Sequence, residues 1–453
     1  MPNGRKATAT MSGNHVCIIS TAEFHYHQQE INTWCGAACV QMVLHYLAGG
    51  GAPPDQDMLR TEVENRATEP ETGIVWFAPP DGIKATLNAL APNPAAGLFK
   101  LLVRDTAEDI TREIVWNIEL HRVPAIALVY GMGHWVVVRG YTADKKPQSA
   151  ADTSYTILSL DLYDPWPPVP YLQSSALPPV HADLTDGCGS GNERGAKLLN
   201  VSYDEWRATG GALHSGYMTG VPAAATDSLW RSRFLAVCDP VDDNQESSQE
   251  QPARPDSDTP ERDLRAPVKQ VINGDNGKII SEEEAARRAA VALRENGLAE
   301  REEWRDLLKG TTPDRPQLVG MLERDSVPYY IVPFMAGGVV RAAVRIHAET
   351  GKYLQALASG DLRKDAVALL SITEIEIALD GQEFDFDGAK VIFSIENIKD
   401  LPTLGWKPCL ESFSPFYPFY IIRLQGLDGI HTLYVRAYDG KPYTELTENV
   451  AGA

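Results

Sequence analysis

The sequence predicts an α+β protein built from several units, and three observations lead to this prediction. An apolar pattern with helical period begins at Cys35, apolar and β-branched runs typical of antiparallel strands begin near Val123, and a tyrosine-rich strand pattern occurs twice near the C-terminus. The chain has 453 residues, of which 43% are hydrophobic and 23% are charged, and these are ordinary globular values. At roughly 150 residues per domain, this length corresponds to about three units.

The distribution of acidic charge marks a boundary in the chain. The formal net charge is −20, and residues 239–266 alone contribute 9 acidic and 3 basic side chains, with four prolines and no aromatic residue. Because this segment has little apolar surface, burial cannot offset the entropy lost on ordering it. We predict an acidic, proline-rich linker at 239–277 between two folded halves. The alternative, a surface loop of one domain, is disfavoured because structureless loops of this length are rare in compact domains.

Charge and hydropathy also exclude classes of partner. A negative chain without a basic stripe repels phosphates, so we predict no nucleic-acid partner. The N-terminus shows no apolar segment of the length that a signal peptide needs, and the most apolar stretch, 123–138, is too short to span a bilayer. Six scattered cysteines without CxxC spacing predict neither a disulfide framework nor a zinc site. We therefore predict a cytoplasmic protein with no membrane partner, while export without a signal peptide stays open.

Cys35 stands at the start of a predicted helix. Apolar side chains recur at helical spacing from Cys35 to Leu47, and three glycines at 49–51 end the pattern. The unpaired N–H groups and the dipole of a helix N-terminus favour a thiolate over a thiol. Gln29 lies six residues upstream, where its amide could donate to an oxyanion beside the backbone N–H of Cys35.

The following strands supply two more residues of the same chemistry. Two apolar runs joined by a glycine turn predict a β-hairpin over 124–141, with His134 at the start of its second strand. A third predicted strand ends at Asp164, before a proline. A thiol that attacks a carbonyl needs a base, a proton donor for the leaving amine and donors to the developing oxyanion. Cysteine, histidine, aspartate and glutamine are suited to these tasks.

Four short motifs carry a resemblance to a known family. Gln29, the sequence TWCGAA at 33–38, GHWVVVRGY at 133–141 and LYDPWP at 162–167 resemble, in order and spacing, the papain-like cysteine peptidases. The similarity is greatest to the bacterial C39-like double-glycine peptidases and the staphopains. The resemblance implies a papain-like domain at 12–238, with an N-terminal helical lobe and an antiparallel β lobe. It also implies a peptide or protein substrate.

The resemblance assigns a role to each candidate residue. It makes Cys35 the nucleophile, His134 the general base and acid, and Asp164 the residue that orients the imidazole. Gln29 becomes the oxyanion donor, with Gln28 as the competitor for that role. Each residue also has an ordinary structural explanation: an inert core thiol, a satisfied sheet histidine, or an aspartate at a strand end.

Rival candidates are weaker on the sequence. Asp161 is the nearest alternative carboxylate, but opposite strand parity would point it away from the site if Asp164 points inward. Cys39 follows Cys35 by one helical turn and is expected to be a core thiol rather than a resolving one. The stretch 174–200 has no counterpart in the family and either flanks the site or is a decorative insertion.

Metal and cofactor chemistry is not predicted. His25 and His27 could form a metal pair, but no third ligand has a suggestive spacing. The glycine-rich run at 187–195 lacks the Gly-Lys-Ser/Thr ending of a phosphate loop, so it is expected to be a surface loop. We therefore predict no metal and no cofactor.

The second half contains an internal repeat. Ser281 and Glu284 predict the capping box of a helix over 282–296, which Gly297 ends. Strand patterns follow, and PYYIV at 328–332 recurs as PFYII at 418–422. Each copy resembles PepSY-like modules, small α+β units of peptidase propeptides and exported bacterial proteins.

The repeat sets the last two predicted boundaries and a role. We predict PepSY-like modules at 278–362 and 363–453, although residues 371–398 look more strand-like than the helix expected there. The resemblance implies inhibition or binding, and no cysteine, histidine and carboxylate constellation occurs in this half. We expect the modules to contact the catalytic domain within the chain. The predicted function is peptide-bond hydrolysis; the alternatives are a catalytically silent protein-binding module, an acyltransferase or a deamidase.

Overall fold

The computed structural model describes residues 13–30, 33–68, 76–92, 98–166, 196–207, 217–223, 225, 228–239, 279–322, 327–358, 366–367, 369–409 and 411–447. In these ranges the chain has eight α-helices and a large, mostly antiparallel sheet, so its mixed α and β content agrees with the predicted class. The predicted linker beyond Asp239 and the stretch 174–195 lie outside the described residues. Within the described ranges, no helix combines the length and the apolar character needed to cross a membrane.

The first half supplies five of these helices and seven strands. The helices are α1 (Cys35–Leu47), α2 (Gln56–Arg66), α3 (Pro80–Leu90), α4 (Ala107–His121) and α5 (Tyr203–Trp206). The strands are β1 (His15–Ile18), β2 (Lys100–Arg104), β3 (Ala125–Val129), β4 (His134–Ala143), β5 (Ile157–Asp164), β6 (Ala196–Ser202) and β7 (Phe234–Cys238). The predicted helix over 35–47 and the predicted hairpin over 124–141 are both confirmed.

Helix α1 is the central helix of the first half. Its residues from Cys35 to Tyr46 are all buried, which is the arrangement expected of a helix that is apolar on most of its faces. It packs against α2, α3 and β4, so the sheet lies on one side and two helices on another. The start of α1 is thereby fixed against the first residues of β4.

The second half supplies the remaining elements. The helices are α6 (Glu282–Glu295), α7 (Glu302–Leu308) and α8 (Ile372–Leu379). The strands are β8 (Thr312–Pro313), β9 (Gln317–Met321), β10 (Tyr329–Ala336), β11 (Val339–His347), β12 (Tyr353–Ala358), β13 (Glu383–Phe386), β14 (Ala389–Ile392), β15 (Thr403–Trp406), β16 (Phe419–Gln425), β17 (Ile430–Arg436) and β18 (Pro442–Tyr443).

The repeat seen in the sequence is also a repeat of hydrogen bonds. Both copies begin with a serine-capped helix, and Ser281 and Ser371 accept from the backbone N–H of Glu284 and Glu374. Equivalent bonds then recur: Ala348 N to Pro328 O and Ala437 N to Pro418 O; Ile280 N to Ala348 O and Leu370 N to Ala437 O; Tyr330 Oη to Ile280 O and Tyr420 Oη to Leu370 O. The same local packing is therefore used twice.

Two details of the helix starts differ from the sequence predictions. The region predicted to be strand-like at 371–398 contains strands β13 and β14, but it begins with helix α8, whose Ser371 and Glu374 form the reciprocal capping box. This cap outweighs the β-branched isoleucines of α8 because it satisfies two N–H groups at once. At α6 only half of the predicted box forms, since the Glu284 carboxylate binds Arg287 and Arg288 instead.

One sheet runs through both halves. Its order is β18-β17-β16-β15-β9-β10-β11-β12-β6-β5-β4-β3-β7-β2, with β1 on β4 and β8 on β10. The halves join where β12 pairs antiparallel with β6, with Gln355 opposite Val201 and Ala358 opposite Leu198. The two repeat copies join through β9 and β15, which run parallel. The two folded halves predicted from the sequence are thus continuous through main-chain hydrogen bonds.

Candidate active site

His134 and Asp164 form a buried pair on neighbouring strands. His134 begins β4, Asp164 ends β5, and the two strands pair antiparallel, with Val137 opposite Tyr163. His134 Nε2 lies 2.7 Å from Asp164 Oδ1, and both side chains are fully buried. The sequence interval between them is spanned by two adjacent strands, as predicted.

The chain after β5 fixes the aspartate. The backbone N–H of Trp166 donates to the same Oδ1 that accepts from His134, at 2.9 Å. The Tyr26 hydroxyl donates to the backbone carbonyl of Asp164 at 2.8 Å. These bonds hold the carboxylate in one orientation, so the imidazole that it binds is also held.

Cys35 completes the group from the other side. It occupies the first turn of α1, where the backbone N–H groups lack partners within the helix, and its exposed fraction is 2%. Among the described residues, His134 Nδ1 has no hydrogen bond of ordinary geometry, so it is the ring nitrogen left to face a thiol. The Cys35 thiol is close enough to His134 to influence its charge.

The surroundings of His134 favour its protonated form. Burial of the ring disfavours the imidazolium, but the negative charge and hydrogen bond of Asp164, together with the Cys35 thiol, outweigh burial and raise the pKa of His134 to about 9. An imidazolium beside a thiol at a helix N-terminus is the arrangement that stabilises a thiolate. The site can therefore hold a nucleophile and a proton donor together.

Gln29 is tied to the same end of β5. Its backbone N–H donates to the carbonyl of Pro165 at 3.0 Å, and its side chain is fully buried. Gln28 is also buried, and its backbone carbonyl accepts from Gln56 Nε2 at 2.8 Å. The loop before α1 is thus held from both sides, and Gln29 remains the predicted oxyanion donor with Gln28 as the competitor.

Asp161, the alternative carboxylate, binds residues other than His134. Asp161 Oδ1 lies 2.7 Å from Arg301 Nη1 of the second half and accepts from Asn200 Nδ2 at 3.1 Å. Its partners lie away from His134, in agreement with the parity argument that favoured Asp164. Asp161 therefore contributes to the contact between the halves.

The second cysteine of α1 behaves as a core thiol. Cys39 Sγ donates to the backbone carbonyl of Trp135 at 3.4 Å. Complete burial, reinforced by the nearby Cys35 and Asp164, raises the pKa of Cys39 well above its usual range. A thiol in this state is a poor nucleophile, so Cys39 is a suitable internal reference for the reactivity of Cys35.

His45 lies next to His25 and His27. His27 Nε2 lies 2.8 Å from His45 Nδ1, and the rings of His25 and His45 stack with centroids 4.9 Å apart. Burial and the neighbouring histidines lower the pKa of His27 to about 3, so this ring is neutral near pH 7. In the part of the chain that the structure describes, no group of three or more His, Cys, Asp or Glu is placed to hold a metal ion.

No protein-family model matches this chain, and no curated protein or solved structure does. The resemblance to papain-like peptidases therefore depends on the four sequence motifs and on the geometry around Cys35 and His134. The structure brings Cys35, His134 and Asp164 together, and it places Gln29 on the loop that leads into α1.

Sequence reasoning missed one residue at this site. The Phe413 ring of the second half stacks on the His134 ring, with centroids 5.0 Å apart and planes 2° from parallel. Phe413 is far from His134 in the chain and lies in a half where no site chemistry was expected. The sequence did contain a signal for a buried aromatic contact, because residues 412–420 contain five aromatic side chains in nine positions.

Substituting Gly36 with alanine is expected to displace the start of α1. A Cβ at Gly36 would overlap the Cβ of Ala78 and crowd the Trp135 ring. Overpacking of this kind costs about 1–3 kcal/mol of the free energy of unfolding. Urea unfolding of Gly36→Ala measures this loss, and an unchanged midpoint would contradict the close approach. Gly320→Ala serves as the control for local crowding, because a Cβ there would meet only the carbonyl oxygen of Leu404, at an ordinary 3.6 Å.

Proposed function

We propose that residues 12–238 form a papain-like cysteine peptidase domain that hydrolyses peptide bonds. The observation that carries the proposal is the His134–Asp164 pair at 2.7 Å, with Cys35 beside the ring at the start of a buried helix. In the same proposal the two repeat copies of the second half are PepSY-like modules. The five described cysteines are all free, which supports a reducing, cytoplasmic location.

The residues have distinct tasks in the proposed reaction. The Cys35 thiolate attacks the carbonyl carbon of the peptide, and a C–S bond forms while the carbonyl oxygen becomes an oxyanion. The backbone N–H of Cys35 and the Gln29 amide donate to that oxygen. The C–N bond then breaks as the His134 imidazolium protonates the leaving amine, and a thioester remains.

Water completes the proposed cycle. His134, now neutral, takes a proton from water as the hydroxyl oxygen attacks the thioester carbonyl. The C–S bond breaks, the carboxylic acid leaves, and the Cys35 thiolate and the His134 imidazolium are restored. Asp164 holds the ring in one orientation throughout. An acceptor other than water would make the same site an acyltransferase, and a side-chain amide as substrate would make it a deamidase.

The burial of the candidate residues supports a second candidate function. The exposed fractions of Cys35, His134 and Asp164 are 2%, 0% and 0%, which is the burial expected of a core rather than an open site. A catalytically silent papain-like module that binds a protein partner would show this burial. The two candidates differ in whether the Cys35 thiol reacts in a manner that depends on His134.

Alkylation of Cys35 is expected to be selective and to depend on His134. At pH 7 in the full-length chain carrying Phe413→Ala, which removes the ring stacked on His134, an epoxide of the E-64 type or iodoacetamide should label Cys35 faster than Cys39, because burial keeps Cys39 protonated. His134→Ala should slow the labelling of Cys35 by at least about tenfold, because the thiolate loses its imidazolium partner. Peptide mapping by mass spectrometry gives both rates. Equal labelling of the two cysteines, or no effect of His134→Ala, would remove the support for a peptidase.

A further inference from the structure

The catalytic group of the proposed peptidase is covered by the second half of its own chain. The Phe413 ring lies parallel to the His134 ring at 5.0 Å, and it meets the Trp166 ring edge-on at 5.6 Å with planes 89° apart. Trp166 directly follows the Asp164–Pro165 turn, so Phe413 contacts both a member of the candidate site and the segment that follows Asp164. It is 1% exposed, and its ring is therefore buried against the first half.

The aromatic contact extends beyond Phe413. Tyr130, in the turn before His134, stacks with Phe413 at 6.3 Å and meets Trp406 of the second half at 6.2 Å. These side chains belong to one apolar core cluster that includes residues of both halves. The turn that presents His134 is thus packed against the second half rather than facing solvent.

The covering segment, residues 411–417, is held in place by its own half. The Ser412 hydroxyl lies 2.9 Å from the carbonyl oxygen of Tyr417 and donates to it, which closes the segment into a loop. Arg436 Nη1 donates to the carbonyl of Glu411 at 2.7 Å, and the Tyr329 hydroxyl donates to the carbonyl of Pro415 at 2.7 Å. β10 and β17 thus anchor the loop by contacts within the second half, and such preorganisation lowers the entropy cost of covering the site.

Largely buried ion pairs elsewhere on β4 and β5 also hold the two halves together. Arg139 of β4 forms a bidentate ion pair with Glu303, and the distance from Nη2 to Oε2 is 2.7 Å. Arg301 reaches Asp161 of β5, so the two strands that carry the candidate histidine and aspartate are both tied to the second half. The covered arrangement is therefore fixed by several independent contacts.

We propose that the second half is an intramolecular inhibitor and that the covering segment, through Phe413, is the part that closes the active site. The proposal depends on the proposed peptidase function and adds its regulation. A peptide cannot place its carbonyl at Cys35 while the Phe413 ring lies on His134, because a substrate must reach both side chains and both are buried in this arrangement. The structure then represents a latent enzyme, and activation is the displacement of residues 411–417 from His134.

The test compares two phenylalanine truncations in the full-length chain. Phe413→Ala removes the ring from His134, and Phe393→Ala removes a fully buried ring from a different core cluster of the same half. Each is combined with His134→Ala. The measured quantities are the rate of Cys35 alkylation by an E-64-type epoxide and the rate of cleavage of a fluorogenic peptide library. We expect both rates to rise at least about tenfold in Phe413→Ala and to stay within about twofold in Phe393→Ala.

The outcomes separate the inhibition from the chemistry. Equal rates in the wild type and Phe413→Ala would overturn the inhibition, as would an equal rise in Phe393→Ala, which would indicate general loosening. In either case a rate that depends on His134 leaves the peptidase function intact. If the rates rise in Phe413→Ala and stay as high when His134→Ala is added, the peptidase function is overturned. The conclusion that residues 411–417 cover Cys35 and His134 is then retained. If Phe413→Ala does not fold, Phe413→Leu keeps an apolar side chain but removes the stacked ring, and the same increase of smaller size is expected.

Discussion

Replacing Asp164 with alanine is expected to lower kcat/KM for peptide hydrolysis by about 10²–10⁴-fold, the range typical of lost general acid–base catalysis. The carboxylate orients the imidazole through the 2.7 Å bond from His134 Nε2, and it stabilises the imidazolium that protonates the leaving amine. Alanine removes both effects, and it also leaves the backbone N–H of Trp166 without its Oδ1 acceptor. Steady-state kinetics in a Phe413→Ala background measures the loss with an open site.

Asp164→Asn separates the two effects of Asp164, because asparagine can still orient the His134 imidazole but carries no negative charge. The pKa of His134 is about 9 because Asp164 and Cys35 outweigh burial, so the imidazolium persists until the pH rises through about 9. The alkaline limb of kcat/KM is therefore expected near pH 9. An amide oxygen still accepts from Nε2 but carries no charge, so the pKa of His134 falls and the alkaline limb moves to lower pH.

The pH profile distinguishes a catalytic aspartate from a structural one. Asp161→Asn is the matched control, because Asp161 lies on the same strand but binds Arg301 and Asn200. Its alkaline limb should coincide with that of the parent, whatever happens to the overall rate. A limb that does not move in Asp164→Asn, or that moves equally in Asp161→Asn, would contradict the assignment of Asp164.

Local sequence patterns predicted the elements that carry the candidate site. Helical periodicity from Cys35 to Leu47 and the apolar runs around His134 are properties of short windows, and each structural element follows its window closely. The third strand was recognisable for the same reason, and its proline set the position of Asp164. Nearest-neighbour pairing of β4 with β5 then follows from the preference of consecutive strands to lie together.

The join between the halves could not be predicted in this way. The pairing of β6 with β12 and the contact of Phe413 with His134 each link residues that are far apart in the sequence and separated by the acidic segment. Composition marked that segment as a boundary between domains, and a boundary suggests independence. Buried arginines such as Arg139 and Arg345 were the overlooked signal, because a charge inside an apolar strand needs a partner from another element.

Loss of Arg345 is expected to lower the free energy of unfolding by about 3–5 kcal/mol, the cost of leaving one partner of a buried ion pair alone. Arg345 of β11 lies 2.8 Å from Glu205 of α5, and the side chains are only 1% and 5% exposed. The guanidinium also lies over the Tyr329 ring, 3.9 Å from its centroid. In Arg345→Ala the Glu205 carboxylate remains buried at the junction of the halves without this cation.

Two further variants show whether charge or packing sets that loss. Arg345→Met with Glu205→Leu replaces the whole pair by apolar side chains, and replacing a buried pair in this way is often neutral or stabilising, so most of the lost free energy should return. Arg60→Ala breaks an Arg–Glu pair of similar length whose side chains are 38% and 37% exposed, and it should cost less than about 1 kcal/mol. Urea unfolding followed by tryptophan fluorescence measures all three. A double variant as unstable as Arg345→Ala would show that the arginine stabilises the junction by its shape rather than by neutralising Glu205.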